Sequence, residues 1–356
     1  MPSRRDLLKT ATAFPLLTMA GCLGVLDSGE LPAYAESTPR DGADDEDGVF
    51  FVHIDTEWLR GFDGEEELPY SDQLPDAVDI DVDPSTPAVD FDPLVAYPTT
   101  GLALGAFGIG TGLLPYGFGD VVLDGLDEDV VPNETDESST QQEETTVDGT
   151  VRIDSMLLVD GVGVFRGEFD ARAVVAAAGG FEPTGEQNGF DVYEGSDDGF
   201  FTTEDLAFAV RDGVLVTLLD QDADLEVVLE TIAGDIERLS DTDDGGWALT
   251  EAGHGHVTLG VWGAEPQQAT ETEYDSESVD TGDVFENADG FVSSLTLGPD
   301  EGVGTISAVF PPDEVPQQAA VENQVGTSAS TREINIDGTK VSISGIWRVP
   351  TEEPDE

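Results

Sequence analysis

Two of the chain's three histidines lie two positions apart, in the segment Gly253-His254-Gly255-His256. Alternate side chains of an extended segment point to the same side, which is the arrangement that two imidazole ligands of one metal ion need. Carboxylates are so abundant in this chain that a carboxylate as third ligand would not distinguish a metal site from ordinary acidic surface. The sequence therefore offers His254 and His256 as candidate metal ligands, and two exposed histidines at the start of a strand as the simpler interpretation.

Two acidic segments resemble calcium-binding loops in part. The segment Asp79–Asp83 places three acids on one side of a strand, but Pro84 stands where such a loop needs glycine. The segment Asp241–Gly246 has the glycine in place, yet Glu251 falls one position early for the last ligand. Solvated surface is the simpler interpretation of both, and the sequence identifies no cofactor.

Common catalytic motifs are missing from the sequence. It has no Gly-x-Ser-x-Gly turn and no Gly-x-x-x-x-Gly-Lys phosphate loop. The run Gly108–Gly112 resembles a dinucleotide-binding turn only superficially, because Leu113 occupies the third glycine position. A carboxylate-dependent hydrolase needs a pair of acidic residues, but so acidic a chain contains many such pairs, and their presence does not indicate an active site. No catalytic residue is predicted.

The single cysteine closes a segment that has the parts of an export signal. The chain begins with the pair Arg4-Arg5, continues with a short apolar stretch and reaches small residues just before Cys22. That stretch is too brief to span a bilayer, and small residues mark a cleavage point. The arginine pair resembles a twin-arginine export signal, and Met19-Ala20-Gly21-Cys22 resembles a lipobox. The resemblance implies a signal peptide at 1–21 and lipid on the thiol of Cys22.

Acidic residues dominate the composition, with 77 Asp and Glu against 13 Lys and Arg and a net charge of −64. Three of the bases and one acid lie in the first 21 residues, which leaves a net charge of −66 beyond them. Such charge opposes compaction unless salt screens it, and at 1 M salt the Debye length is about 3 Å. High charge is also typical of disorder, but 38% hydrophobic residues and 17 Phe supply a core. Nucleic acid is excluded as a partner because no basic patch occurs.

The leader and the composition together resemble those of uncharacterised twin-arginine-exported lipoproteins of halophilic archaea. The resemblance implies a location outside the cytoplasm, on the outer face of the cell membrane, with membrane contact through the lipid on Cys22. It implies no activity. We expect a non-enzymatic interaction or structural role, with ligand or metal-ion binding as one alternative and a carboxylate-dependent hydrolase as another. The sequence leaves the oligomeric state open.

Residues 94–118 contain no charged residue, although about every fifth residue of the chain is acidic. Twenty-five uncharged residues are long enough for a membrane span, but two prolines and six interior glycines make a poor one. A buried or interface-forming helical segment is the favoured prediction, with a protein partner as its candidate contact. A membrane-contacting hairpin and a true span remain alternatives.

Three other segments are predicted to be solvated. Residues 22–48 are rich in Gly, Pro, Ser and acids, which predicts a flexible, disordered tether. Residues 127–148 contain nine acids and no base, which predicts an acidic loop. The only Asn-x-Ser/Thr sequon of the chain places a candidate glycan on Asn133. Residues 350–356 form an acidic tail.

Regular elements are predicted from residue 49 onward. Hairpins are expected at Asp160-Gly161, Asp212-Gly213 and Asp337-Gly338, and a helix from about Asp222 to Leu239 has an apolar stripe. A gapless match of 161–169 with 302–310 suggests internal duplication. A helix is expected after each segment, at Ala171–Ala178 with Asp170 as its N-cap and at Pro312–Val325. We expect an α+β fold of two similar antiparallel-sheet units, 49–245 and 246–349, each with packing helices on one face.

Overall fold

A computed structural model describes residues 31–42, 48–60, 92–118, 152–195, 206–220, 223–263, 282–298 and 301–348. In these ranges the chain forms twelve strands. They are β1 Val49–Asp55, β2 Arg152–Val159, β3 Val162–Glu168, β4 Phe181–Gln187, β5 Phe190–Gly195, β6 Ala207–Arg211, β7 Val214–Leu218, β8 Val257–Trp262, β9 Gly290–Leu297, β10 Glu301–Val309, β11 Thr331–Asp337 and β12 Lys340–Arg348.

All twelve strands belong to one antiparallel sheet. Their order across it is β11-β12-β10-β9-β8-β1-β2-β3-β7-β6-β5-β4. The pair β1 and β8 lies at the junction between the halves, with His53 opposite Thr258. The α+β class with a large antiparallel sheet is thereby confirmed, although the two expected units share one continuous sheet.

Tight turns join neighbouring strands where the sequence predicts them. Asp160 and Gly161, both with positive φ (44° and 76°), connect β2 to β3. The pairs Asp212-Gly213 and Asp337-Gly338 lie at the turns that join β6 to β7 and β11 to β12. Left-handed backbone at such positions is easiest for glycine and tolerable for aspartate. These three predicted hairpins are confirmed.

Helices cover both faces of the sheet. The α-helices are α1 Thr56–Arg60, α2 Pro93–Leu113, α3 Ala171–Ala177, α4 Leu225–Ala233, α5 Asp243–Ala252, α6 Gly282–Phe285 and α7 Gln318–Gln324. Short 3-10 helices occur at Ala33–Ser37, Leu114–Tyr116 and Leu239–Asp241. The expectation of helices on one face is wrong, because strands such as β7 and β8 bury nearly every residue and so need cover on both sides.

Two hydrophobic cores result, one on each side of the sheet. The α2 face is the side on which α2, α3, α6 and α7 pack, against strand residues that include Val52, Ile54, Leu259, Phe291 and Ile306. The α5 face is the opposite side, where α4, α5 and the first 3-10 helix pack against residues that include Val49, Phe51, Val164, Val216 and Val292. Each face thus has its own buried side-chain layer.

The strand order of the two halves is similar around the β1 and β8 junction. Outward from it, one half runs β1-β2-β3-β7-β6 and the other β8-β9-β10-β12-β11. The segments that matched in sequence correspond to β3 and β10 with their flanking residues. The hairpin β4-β5 has no counterpart among the described strands of the second half. Duplication itself stays a prediction, now with a matching strand order.

Three boundaries differ from the predictions. The flexible tether predicted at 22–48 is wrong for 33–38, because Tyr34 and Ala35 are buried against the α5 face. The helix α4 ends at Ala233, where Gly234 adopts a left-handed φ of 83° and its N–H bonds back to the last turn. The predicted helix 312–325 shrinks to α7, which begins only after Pro316.

Candidate interaction surface

The uncharged segment 94–118 forms the helix α2, a 3-10 turn and two further residues. Asp92 caps the helix by accepting a hydrogen bond from the backbone N–H of Leu94 (3.2 Å), and Pro93 occupies the first helical position. Both are standard ways to start a helix. By length and composition alone, 93–116 is apolar enough to cross a membrane, a test that core helices also pass. The prediction of a helical segment holds.

Asp92 also ties the start of α2 to the loop between α7 and β11. Its carboxylate accepts hydrogen bonds from the backbone N–H of Gly326 (2.7 Å) and from the N–H and hydroxyl of Ser328 (3.0 and 2.8 Å). The hydroxyl of Ser328 in turn accepts one from the Trp347 indole (3.1 Å). Asp92 is only 4% exposed. It therefore fixes the helix N-terminus to the second half of the chain.

Aromatic residues hold the other end of the segment. The hydroxyl of Tyr116 lies between the carbonyl oxygens of Ala207 and Leu218, at 2.9 and 2.5 Å, and donates to them. Its ring stacks on Phe118 and Phe181, with centroids 5.1 and 5.2 Å away. Burial raises the pKa of this tyrosine, so it stays a neutral donor. The segment is thus anchored at both ends.

Glycines form the side of α2 that meets the sheet. Gly101, Gly105, Gly108 and Gly112 recur at helical spacing, and a Cβ on each would lie 2.6–3.6 Å from a sheet-side residue. At Gly105 that Cβ would lie 3.0 Å from Val52 Cγ1 and 3.1 Å from Ile54 Cδ1. Small residues let a helix approach its neighbours closely. Four of the six glycines that make 94–118 a poor membrane span therefore serve its packing on β8, β1, β2 and Leu219, which follows β7.

Exposed apolar residues lie on the opposite side. We define the α2 outer face as Ala103, Ala106 and Phe107 of α2 together with Leu114 of the 3-10 turn that follows it, which are all exposed. Phe107 is 68% exposed and Leu114 is 72% exposed. The helix buries Leu94, Val95, Tyr97, Ile109 and Leu113 together with Gly101 and Gly105, whereas an ordinary amphipathic helix would present polar residues on its other side. The result is an uncharged apolar surface on a chain with a net charge of −64.

The two predicted metal ligands are not brought together in the way that the prediction needs. Gly253 ends α5 with a φ of 73°, and β8 begins only at Val257, so the segment between them is bent and belongs to no strand. His254 is exposed, whereas Nδ1 of His256 accepts a hydrogen bond from the N–H of Leu297 (3.1 Å). The premise of a shared strand face is therefore wrong.

His256 has a structural environment at the end of the sheet. Its ring stacks on the indole of Trp58 at 5.3 Å, and its carbonyl accepts from the N–H of Asp55 (2.8 Å). Burial lowers the pKa of this histidine, and the charge of Asp55 opposes the shift. A neutral ring is required for Nδ1 to accept from Leu297. Its role is to extend the pairing of β8 and β9 beyond their last backbone pair.

A third histidine, His53, lies in a polar cluster on the α5 face that the sequence did not reveal. Its ring is 4.6 Å from that of Tyr34, and it faces Thr258 across the β1 and β8 pair. Burial, then the charges of His254 and Arg166, lower the pKa of His53 to about 3. Among the described residues, His53 Nδ1, the Tyr34 hydroxyl and the Thr258 hydroxyl have no partner of good hydrogen-bond geometry. Burial also raises the pKa of Tyr34.

No known protein family matches the chain. No curated protein matches it either. Among solved structures, crystal forms III and I of TP0453 each have a TM-score of 0.39, at 9% and 8% sequence identity. Each alignment covers 90% of this chain and 95% of the other. Similarity at that level carries no information about function.

The remaining predicted sites fall into two groups. Asp241–Gly246 does not form a calcium loop, because Thr242 caps α5 and Asp243 begins it. Within the described ranges, no group of three or more His, Cys, Asp or Glu residues is placed to hold a metal ion. The other predicted sites lie outside the described residues, namely Cys22, Arg4, Arg5, Asn133 and the acids of 79–83.

The sequence carried a signal for the α2 outer face. Glycines at spacings of four, three and four mark one side of a helix that can pack closely, and this places Phe107 and Leu114 on the other side. The Asp92-Pro93 pair marks the helix start. The His53 cluster had no such signal, since its three members come from distant segments.

Proposed function

We propose that the chain is a lipid-anchored surface protein of a halophile, held through Cys22 outside the cytoplasm, and that it binds a partner protein through the α2 outer face. Export, lipid attachment and salt adaptation rest on the leader and the acidic composition. The interaction role is carried by one observation, which is that α2 packs its glycines on the sheet and leaves Phe107 and Leu114 exposed.

The chemistry of the surface favours a protein as its occupant. An apolar patch on a soluble body is a common mark of a binding site, and aromatic residues contribute strongly to protein interfaces. The acidic body is repelled by anionic lipid head groups, which disfavours flat contact with a membrane. The partner surface is expected to be apolar and uncharged at its centre, with few acids at its rim.

Paired substitutions on the outer face test this role. We would compare the lipidated protein with Phe107→Ser/Leu114→Ser, and with Leu31→Ser as a matched control on an exposed leucine outside α2. After extraction in molar KCl with mild detergent, sedimentation should place the parent and the control in a complex with another protein. The double variant should sediment without that protein. Retention of the complex by the double variant would contradict the proposal, provided its melting temperature is unchanged.

A second candidate is a ligand-binding lipoprotein, favoured by the His53 cluster. Among the described residues His53 Nδ1 has no hydrogen-bond partner, and the Tyr34 and Thr258 hydroxyls have only each other, at poor geometry, so a water or a small polar ligand would complete the bonding of the cluster. Mass spectrometry of the intact protein would detect a bound small molecule. That mass should disappear in Thr258→Val and persist in Thr217→Val, since Thr217 is a buried threonine on β7, opposite Phe208 and away from the cluster. Unchanged spectra for both variants would discard this candidate.

A further inference from the structure

The sheet ends in two strands of different character. At one edge, β4 contains Pro183, which has no N–H, and its pairing with β5 is irregular between Pro183 and Gly185. At the other edge, β11 contains no proline, and all seven of its residues pair with β12 in a constant register. Prolines and bulges are the usual means of preventing edge pairing. Only β4 has them.

The hydrogen-bond pattern identifies which groups of β11 face outward. Asp337 and Lys340 close a hairpin with two residues between them, so they form a hydrogen-bonded pair, and such pairs recur at every second residue. The N–H of Phe310 donates a hydrogen bond to the carbonyl oxygen of Thr339. Because the direction of the backbone groups alternates along a strand, the odd-numbered residues of β12 bond to β10 and the even-numbered ones bond to β11. Arg332, Ile334 and Ile336 therefore direct their N–H and C=O groups to the open edge.

These outward groups are available for pairing. Across the described ranges, no hydrogen bond from another element reaches the backbone of Arg332, Ile334 or Ile336. The side chains of Ile334 and Ile336 are half-buried against the core of the α2 face. Arg332 donates to the carbonyl oxygens of Glu322 and Val325 (2.8 and 2.6 Å), which ties this side of the strand to α7. The edge is thus regular and is tied to the end of α7.

We propose that β11 pairs antiparallel with β11 of a second copy of this chain, centred on Ile334. In that register Ile334 lies opposite Ile334 of the second copy, and Arg332 lies opposite Ile336 of the second copy. The outward N–H and C=O groups of all three residues therefore form hydrogen bonds between the two strands. On the other side of the pair, Glu333 faces Asn335 and Thr331 faces Asp337, and no two acids are opposite each other.

The two neighbouring registers place like charges opposite each other and form fewer hydrogen bonds. A shift toward Arg332 places Glu333 opposite Glu333, and a shift toward Ile336 places Glu333 opposite Asp337. Like charges directly opposite destabilise a strand pair. Each such shift also loses one of the three outward pairs. The sequence of β11 is therefore self-complementary in a single register, as a two-fold interface requires.

Salt should control this association. Each copy has a net charge of −64, so two copies repel each other over long distances in dilute buffer. At 1 M salt the Debye length is about 3 Å and the repulsion is confined to contacting groups. The dimer is therefore expected in molar KCl and is weakened as salt is removed.

Disulfide trapping tests the register directly. In the full mature chain with Cys22→Ser, we would prepare Glu333→Cys and Asn335→Cys separately and oxidise each alone and as a mixture in molar KCl. The proposed pair is a non-hydrogen-bonded one, with Cα atoms about 4.5 Å apart, which a disulfide can span. A cross-linked dimer should form in the mixture only. Cross-linking within Glu333→Cys alone, or none in the mixture, would overturn the proposal.

Charge substitutions provide an independent test in solution. Asn335→Glu places two acid pairs in the interface and should weaken the dimer about tenfold in sedimentation equilibrium. Asn335→Lys should strengthen it, and Glu333→Lys combined with Asn335→Glu should restore it. Thr184→Glu on β4 is the matched control and should have no effect. A parent chain that stays monomeric in molar KCl, or equal affinities for both Asn335 variants, would contradict β11 pairing.

Discussion

Asp92 and Ser328 are 236 positions apart in the chain, yet the carboxylate of Asp92 accepts two hydrogen bonds from Ser328, at 3.0 and 2.8 Å. The same carboxylate caps α2. One buried side chain therefore joins the helix that carries the α2 outer face to the loop before β11, and the position of that face depends on it.

Removing this carboxylate should destabilise the fold strongly. Asp92→Ala deletes a helix cap and leaves the buried donors of Gly326 and Ser328 unpaired, which together cost about 3 kcal/mol. Asp170→Ala is the control, because Asp170 caps α3 with a single exposed hydrogen bond to Arg172 N, and about 1 kcal/mol is expected there. Urea denaturation in molar KCl measures both. Equal losses for the two variants would show that the Asp92 contacts to 326–328 contribute nothing.

The packing of α2 makes opposite predictions for Gly112, which faces the sheet, and Gly110, which does not. Gly112→Ala would place a Cβ 2.6 Å from Leu219 Cδ2 and 2.9 Å from its Cβ, so a loss of about 1–3 kcal/mol is expected from overpacking. At Gly110, a Cβ would have no neighbouring atom within 4 Å. Gly110→Ala should therefore stabilise the helix by about 0.5–1 kcal/mol. Thermal denaturation measures both effects. If both substitutions changed the melting temperature in the same direction, this packing of α2 would be contradicted.

His53 should make the protein less stable as the pH falls below about 6.5. Its pKa is about 3 in the folded state, against an ordinary value of 6.5, so between these values the unfolded chain binds more protons and stability rises with pH. At pH 5 the loss relative to pH 8 is about 1–2 kcal/mol for this residue. His53→Phe should lack this contribution, so the stability of the variant should rise relative to that of the parent as the pH falls. A stability difference that is constant between pH 8 and pH 5 would contradict the burial of a neutral ring.

The sequence predicted local features well because the residues that decide them are adjacent. Hairpins at Asp160-Gly161 and Asp212-Gly213, and the cap at Asp170, depend on short-range turn and capping chemistry. Pairing of β1 with β8 joins residues about two hundred positions apart, and no local pattern specifies it. This long-range pair is why one sheet formed where two units were expected.

The candidate site shows the same division. The uncharged segment 94–118 was visible as a composition shift, and its helix followed from length and apolarity. The contacts of Asp92 with 326–328, and of His53 with Tyr34 and Thr258, required the tertiary fold. The premise that His254 and His256 share a strand face failed because Gly253 ends α5 and β8 begins only at Val257.

The proposed lipid anchor and export signal make a prediction of their own. Cys22→Ser should release the protein from the cell surface into the medium, since it removes the only thiol that lipid could use. Arg4→Lys/Arg5→Lys should instead keep the precursor inside the cell. Immunoblots of medium, membrane and cytoplasm distinguish the two. Membrane retention of Cys22→Ser at the parent level would show that lipid on Cys22 is not the anchor.

The most direct test of the interaction surface is photo-cross-linking in living cells. A benzophenone amino acid would replace Leu114 on the α2 outer face or, as the control, Leu31, which is 44% exposed. Irradiation should join the Leu114 position to one discrete protein and leave the Leu31 position without that adduct. Adducts at Leu114 with lipid alone, or no adduct beyond the control, would contradict a partner-binding role for α2.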